Sequence, residues 1–365
     1  MESVELIIEK MIMKRWPSFI AVYLIVAGCS IAQTRATGQR PVGPDPLPAG
    51  WTESNLPSAG PQQVAAKLEK DKVTVTIGGK LFTCYKFDAS QKYPYFWPVN
   101  GPASEKSVTT ETSQPYPHHH SLFFGCDCVN DGNYWQEDNE RGQIVSQGPK
   151  IIEPSGDRVV FTDKCLWRAG RSPAPDQTRL RRAGKKPIIL DWRRIVVSAP
   201  GEGLRFIDFE ITLEPLTDVC ILKTNHSLFS ARVVPELSVS AGGTLINAEG
   251  KTGEKGTFGV ASPWCDYSGT RGGVTEGIAI LQHPGNRWFP AKWFTRDYGF
   301  FSPTPMFWLE GDKLELAKGE RLTLRYRVVV HSSDAMAAKI GEIFEQYEQA
   351  AKSSQTQESV IEVKQ

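Results

Sequence analysis

RFIDFEITL, residues 205–213, places apolar side chains at every second position: Ile207, Phe209, Ile211 and Leu213. Successive side chains of a β-strand point to opposite faces, so this spacing predicts a strand with one face in a hydrophobic core. It is the clearest such pattern in the chain, and it favours a fold made of sheets with one buried face.

Similar runs recur on both sides of this stretch. They cover 73–77, 80–85, 158–168, 188–198, 219–223, 229–234, 276–282 and 320–331. Gly78 and Gly79 separate the first two runs, which predicts a hairpin. Only 334–351 has helical spacing, with Ile340, Ile343, Phe344 and Tyr347 on one side. We therefore predict an all-β protein, a large antiparallel β-sandwich with one C-terminal helix.

Composition narrows the function classes. The 365 residues carry 42 Lys and Arg against 41 Asp and Glu, a formal net charge of +1. A dedicated nucleic-acid binder usually has a basic excess, so we expect no nucleic-acid partner. The chain also lacks the glycine-rich nucleotide loops, the H-E-x-x-H motif and the G-x-S-x-G motif, and no cofactor is required by the sequence.

The N-terminal region predicts export. Lys14 and Arg15 precede a short apolar stretch at 19–28, as in a secretory signal. Cys29 follows a lipobox-like Val-Ala-Gly and is the candidate for lipidation, whereas cleavage after Ala32 would release a soluble protein. Both alternatives place the protein outside the cytoplasm, either periplasmic or lipid-anchored to the cell envelope, with membrane contact only through the anchor.

The remaining sequence predicts one folded domain. Residues 1–32 are the signal, 33–62 a proline-rich spacer, 63–351 a single β-sandwich domain and 352–365 a disordered tail. Nothing in the sequence indicates an oligomeric state.

Histidine is scarce and concentrated. Three of the six histidines, His118, His119 and His120, are consecutive and follow a proline-rich stretch. In an extended segment His118 and His120 point one way and His119 the other. We expect this cluster to lie in a functional cleft, and His226 and His331 to be structural.

The order of several motifs resembles the PmoA-like family, bacterial domains of unknown function. The motifs lie at 93–102, 117–125, 130–135, 264–269, 283–286 and 296–299. The family pattern at the first cluster is D-H-P-H-H, but here Pro115 and Tyr116 replace the acid and a histidine, which puts catalysis there in doubt. The resemblance implies a galactose-mutarotase type of double β-sandwich, which holds sugars and uses His with a carboxylate.

These features together favour a carbohydrate-active protein that binds a saccharide. Acid-base chemistry near neutral pH suits histidine, and a lyase, hydratase, epimerase or hydrolase would use it. Flat indole rings bind pyranose faces, and an arginine holds a carboxylate or oxyanion. The candidate catalytic residues are His118, His119, Glu137, Asp266, His283 and Arg296. The candidate substrate-binding residues are Asn130, Trp135, Trp264, Asn286 and Trp293.

Two alternatives stay open. His118, His120 and His283 with a carboxylate could hold a divalent metal. A non-catalytic carbohydrate-binding β-sandwich would also explain the aromatic residues, although such a module does not need several histidines beside acids.

Overall fold

The computed structural model describes residues 62–136, 138–170 and 186–362. The predicted signal and its Cys29, the spacer up to residue 61, and Glu137 lie outside these ranges.

The described residues form twenty strands, two α-helices and four short 3₁₀ segments. The strands are β1 (Val64–Leu68), β2 (Lys72–Ile77), β3 (Lys80–Lys86), β4 (Tyr95–Val99), β5 (Leu122–Cys126), β6 (Gly142–Ser146), β7 (Lys150–Glu153), β8 (Ser155–Gly156), β9 (Arg158–Ala169), β10 (Pro187–Gly201), β11 (Leu204–Pro215), β12 (Val219–Leu222), β13 (Ser227–Arg232), β14 (Thr244–Asn247), β15 (Trp264–Arg271), β16 (Val274–Gln282), β17 (Trp293–Arg296), β18 (Phe300–Pro303), β19 (Lys313–Leu316) and β20 (Leu322–Ser332). The helices are α1 (Gly253–Thr257) and α2 (Ile340–Glu362), and the 3₁₀ segments are Asn139–Arg141, Pro235–Leu237, Val239–Ala241 and Pro305–Trp308.

The strands pair into two large antiparallel sheets and a ribbon of β12 with β19. Sheet 1 has the order β17-β18-β13-β5-β4-β3-β2-β1-β8. Sheet 2 has the order β14-β15-β16-β20-β11-β10-β9-β6, with β7 also paired to β9. The predicted all-β fold with large antiparallel sheets and a C-terminal helix is confirmed.

The stretch 205–213 lies in β11, in the interior of sheet 2 between β10 and β20. Its predicted core residue Phe209 stacks on Phe229 of β13, with ring centroids 4.9 Å apart. Phe229 in turn stacks on Tyr326 of β20 at 4.8 Å. These rings pack the inner face of sheet 1 against that of sheet 2.

The predicted hairpin is also present. Gly78 and Gly79 join β2 to β3 with φ of 57° and 77°, a left-handed backbone that glycine adopts without steric cost.

Helix α2 packs on the outer face of sheet 2. Ile340, Ile343 and Tyr347 contact a cluster that includes Trp264 and Leu281, as their spacing predicts. The helix begins later than predicted: Asp334 accepts hydrogen bonds from two backbone amides, but 335–339 form turns that end at Lys339, whose φ of 58° is left-handed and interrupts the helix. It also ends later, at Glu362, so 352–362 continue the helix where we predicted a disordered tail; Lys, Gln and Glu in this segment are good helix formers. Neither helix in the described ranges has the length and hydropathy needed to cross a membrane.

A buried ion pair ties together strands of sheet 2 that are not neighbours. His331 Nε2 on β20 lies 2.6 Å from Asp266 Oδ2 on β15, across the intervening strand β16, and both side chains are fully buried. Gly277 of β16 makes this contact feasible, because a Cβ there would lie 2.4 Å from the His331 ring. Burial lowers the pKa of His331, but the charge and hydrogen bond of Asp266 outweigh it, so the pKa is raised.

We expect Gly277→Ala to lower the free energy of unfolding by about 3 kcal/mol, because the added methyl group displaces the His331 ring from Asp266. Guanidinium denaturation measures this change. Gly201→Ala is the matched control, since its Cβ would meet no atom within 4 Å. Equal, small effects of the two substitutions would show that the pair does not hold β15 to β20.

Candidate functional site

Sheet 1 is buried on both faces where β5, β13 and β18 lie side by side. Their inner faces meet sheet 2, so other parts of the chain must cover the outer face. The loop 113–121, which precedes β5, and the segment 127–136, which follows it, provide this cover. We name this covered outer surface, comprising β5, β13, β18 and the two segments, the histidine face.

The three consecutive histidines separate into two environments. His118 and His119 meet edge to face with ring centroids 4.6 Å apart, and His119 packs on Phe300 of β18 at 4.4 Å. His120 instead stacks on Tyr95 at 4.9 Å, and its Nδ1 lies 2.9 Å from the carbonyl oxygen of Glu111. Only His118 and His119 are therefore placed to act together on the histidine face.

His226, from a distant part of the sequence, lies beside His118 on the histidine face. His226 Nδ1 lies 2.8 Å from Asp127 Oδ2, and the Thr224 hydroxyl donates to the other carboxylate oxygen. The His226 ring stacks on Trp135 at 5.5 Å and lies 6.2 Å from the His118 ring.

Strand pairing explains this contact. Cys126 ends β5 opposite Ser227, which begins β13. Asp127 and His226 are therefore the next residues along two antiparallel neighbours, and the Asp127 amide donates to the His226 carbonyl at 3.1 Å.

The histidine face contains buried polar atoms that have no hydrogen-bond partner within the described residues. They are His119 Nδ1, Trp135 Nε1, Ser230 Oγ, and Nε and Nη1 of Arg232. Buried polar groups are nearly always hydrogen-bonded in folded proteins. Five such atoms on one surface indicate a place where a polar ligand supplies the missing partners.

Two tyrosines cover the deepest part of this surface. The ring of Tyr116 lies 5.2 Å from the His119 ring and 5.2 Å from that of Tyr298. The guanidinium of Arg232 lies under Tyr298, 4.2 Å from the ring centroid. Tyr116, which stands where the resembled family has histidine, is thus part of the site.

His119 is held neutral. Burial lowers its pKa to about 2, and the positive charges of His118 and Arg232 add to this effect. A neutral imidazole has one donor and one acceptor nitrogen, so His119 can bind a hydroxyl group but does not store a proton at physiological pH.

A cavity of about 420 Å³ adjoins the histidine face, and residues of the segment 127–136 line both. Its lining residues are Asp127, Cys128, Asp131, Gly132, Asn133, Gln136, Arg141 and Leu222. The cavity is rich in carboxylate, amide and guanidinium groups, which suits a ligand with many hydroxyl groups.

Four predicted site residues lie on sheet 2 and its outer face instead. Asp266 is paired with His331, Trp264 packs in the helix α2 cluster, and the two side-chain amide atoms of Asn286 bond the backbone of Arg325, both at 2.8 Å. His283 meets Tyr347 of α2 at 5.4 Å, and burial, followed by the charges of Arg325 and Arg327, lowers its pKa to about 4. The structure does not bring these residues to His118 and His119.

Three other predicted residues have local structural partners. Trp293 is fully buried and donates to the carbonyl of Ser262 at 2.7 Å. Asn130 bonds the backbone at Asp218 and Cys220. Arg296, whose strand position is opposite Phe300, pairs with Glu254 at 3.0 Å and so borders the histidine face.

The metal hypothesis is not supported by this arrangement, since His283 is on the other sheet and His120 is held by Tyr95 and Glu111. Within the three described ranges, no group of three or more His, Cys, Asp and Glu side chains is placed to hold a metal ion.

Sequence reasoning missed His226, Asp127, Arg232 and Tyr298. The signals for them were weak: Asp127 stands between two cysteines at the end of an apolar run, and His226 directly precedes another.

Comparison of the sequence with known families shows which family the chain belongs to. A model of a family of unknown function, DUF6807, matches residues 72–345. The chain belongs to this family. The match confirms the predicted domain of unknown function, while the label PmoA-like is not linked to the chain by it. No curated protein matches the DUF6807 chain in sequence.

Three solved structures are similar to this DUF6807 protein at low identity. A galactose mutarotase related enzyme from Lactobacillus acidophilus is 8% identical, with 74% of this chain and 97% of that chain covered and a TM-score of 0.28. The α-galactosidase from Lactobacillus brevis is 7% identical, covering 74% of this chain and 39% of that one, with a TM-score of 0.32. A polysaccharide lyase is 12% identical, covering 76% and 33%, with a TM-score of 0.23.

We expect the Hε1 resonance of His119 to stay at its neutral position between pH 4 and 8, because its pKa is held near 2. Proton NMR over a pH series measures this, with His119→Asn used to assign the resonance. A titration of His119 with a midpoint near 6.5 would show that the ring is not buried under Tyr116 and Tyr298.

Proposed function

We propose that this chain is an exported carbohydrate-active enzyme that moves a proton on a bound sugar through His226 and Asp127. The observation that carries the proposal is the His226–Asp127 pair beside five buried, unpartnered polar atoms on the histidine face. The reaction belongs to the lyase, hydratase, epimerase or hydrolase class.

The geometry of the pair suits a general base. An ionised carboxylate only accepts hydrogen bonds, so His226 Nδ1 carries the proton and donates to Asp127 at 2.8 Å. Nε2 then presents its lone pair, and the imidazolium that forms on proton uptake is stabilised by the adjacent Asp127 charge. The Trp135 ring stacks on the imidazole with an angle of 17° between the two ring planes. This stacking orients Nε2 without another polar contact.

The surroundings suit a saccharide. Neutral His119, Ser230 and the Trp135 N–H offer hydrogen bonds to hydroxyl groups, and each has a polar atom without a partner among the described residues. Tyr116, which is 38% exposed, presents an aromatic surface to solvent next to them. Aromatic faces and hydrogen-bonding edges together match the alternating C–H and O–H surfaces of a pyranose.

His118 is placed to complete proton transfer. Its ring contacts His119 at 4.6 Å and stands 6.2 Å from His226, so a sugar atom between them can lose a proton to one imidazole and gain one from the other. In this proposal Arg296, paired with Glu254, and Glu137 are secondary candidates.

Export remains part of the proposal and rests on the N-terminal sequence. Lys14, Arg15 and the apolar stretch 19–28 support secretion, and Cys29 supports a lipid anchor. The resemblance to PmoA-like domains likewise stays a prediction, supported by the order of the sequence motifs.

We expect His226→Asn to lower kcat about 10²- to 10⁴-fold while saccharide binding changes far less, since asparagine keeps the hydrogen bond to Asp127 but removes the base. Turnover of neutral and uronic oligosaccharides is followed by NMR, and binding by calorimetry. His283→Asn is the matched control, because His283 is half-buried like His226 but lies against α2.

Equal turnover by the His226 variant and the wild type would contradict the assignment of the base. Saccharide binding by the wild type with no turnover of any oligosaccharide would instead favour the carbohydrate-binding module.

A further inference from the structure

Arg232 is the most unusual residue of the histidine face. It ends β13 and is only 3% exposed. Its amide donates to the Ser121 carbonyl at 2.7 Å, and its carbonyl accepts from Thr110 at 3.1 Å. The backbone is therefore held by two hydrogen bonds, and the side chain lies on the same side of sheet 1 as Phe300, its neighbour on β18.

Nothing in the described part of the chain neutralises the charge of Arg232. Nε and Nη1 have no hydrogen-bond partner, and Nη2 reaches only the Ser113 hydroxyl at 3.4 Å. Burial lowers its pKa, and only the hydroxyls of Tyr298, Tyr267 and Tyr116 oppose this shift. No carboxylate of the described residues pairs with it.

Two other buried arginines of this protein are paired with carboxylates. Arg193 is 2.9 Å from Asp191, Arg327 is 2.7 Å from Asp208, and both guanidinium groups are also buried. Burial of a charge is costly unless an opposite charge or several hydrogen bonds compensate for it. Arg232 lacks this compensation, so the structure leaves a buried cation beside the unpartnered groups of the candidate site.

We propose that Arg232 binds the carboxylate of a uronic acid unit in the saccharide held at the histidine face. This inference rests on the proposed function and adds to it an acidic class of sugar. The guanidinium is the group best suited to planar carboxylates. Neutral His119 can add a hydrogen bond to the same carboxylate.

Access to Arg232 is from the side of Tyr116. Tyr298 lies directly over the guanidinium at 4.2 Å, while Tyr116 packs against Tyr298 and is 38% exposed. We therefore expect a carboxylate to reach Arg232 past the exposed ring of Tyr116.

Calorimetry of the full chain with paired probes tests this inference. The probes are D-glucuronate and D-galacturonate, the neutral amide of each, the two parent neutral sugars and their 6-sulfates. We expect at least one uronate to bind 10-fold or more tightly than its amide, and Arg232→Gln to abolish this preference with an affinity loss of about 10- to 100-fold.

Arg205→Gln is the matched control. Arg205 is similarly buried at 4% and also has an unpartnered Nε, but its guanidinium donates to the Asn100 carbonyl, and the charges of Glu276 and Glu105 act on it. We expect Arg205→Gln to keep the preference for the uronate.

The outcomes separate this inference from the proposed function. Equal affinity for uronates and amides, or an unchanged preference in Arg232→Gln, overturns the role of Arg232 while the saccharide site stands. Binding of 6-sulfates but not uronates overturns the assignment of a carboxylate. If no sugar of any kind binds, the proposed function fails together with the inference.

Thermal unfolding provides a second measurement that needs no ligand. Because Arg232→Met removes an unpaired buried charge, we expect its Tm to equal or exceed that of the wild type. Arg193→Met should lower Tm strongly, since it leaves Asp191 buried without its partner. An equal loss of Tm in both variants would show that Arg232 is compensated within the protein, and would overturn the proposal.

Discussion

Burial of β5, β13 and β18 on both faces is the constraint on which the candidate site depends. A strand in a two-sheet sandwich usually has one face in the core and one in water. Here the outer face is also closed, by 113–121 and 127–136. Every polar group that the alternating pattern places on that face must then find a partner or remain unsatisfied. Atoms of His119, Ser230 and Arg232 have no partner among the described residues, and they lie beside the His226–Asp127 pair, which together make this surface the candidate site.

The outer faces of the two sheets are covered by different kinds of structure. Helix α2 covers part of sheet 2 with Ile340, Ile343 and Tyr347, and on this side of the sheet the polar side chains of His331 and Asp266 are paired with each other. This pair joins two strands of the same sheet. On sheet 1 the cover consists of loops, which carry histidines and tyrosines rather than aliphatic side chains. Loops on a rigid sheet commonly carry function.

Local patterns in the sequence are sufficient for the elements but not for their assembly. Period-two alternation identifies β11, two glycines identify the β2–β3 hairpin, and helical spacing identifies the buried side of α2. The choice of His118 and His119 also follows from local density. None of these patterns shows which sheet a strand joins. The sequence therefore predicts Asp266 and His283 in one site with His118 and His119, although they lie on different sheets.

The residues that the sequence analysis missed also depend on strand pairing that local patterns do not show. His226 is 99 residues from Asp127 in sequence, and only the pairing of β5 with β13 brings them together. Arg232 has no distinguishing sequence context, because what marks it is that no carboxylate of the described residues pairs with it in three dimensions. Such information is a property of the packed sheet and cannot be obtained from spacing.

The most direct test of the central claim, that the histidine face is the functional surface, uses the six histidines as reporters. Two-dimensional NMR of their imidazole groups is recorded while neutral and uronic oligosaccharides are added to the full chain. If saccharides bind at the histidine face, the resonances of His118, His119 and His226 shift, whereas those of His283 and His331 do not. Shifts confined to His283 and His331, or no shift with any saccharide, would contradict the claim.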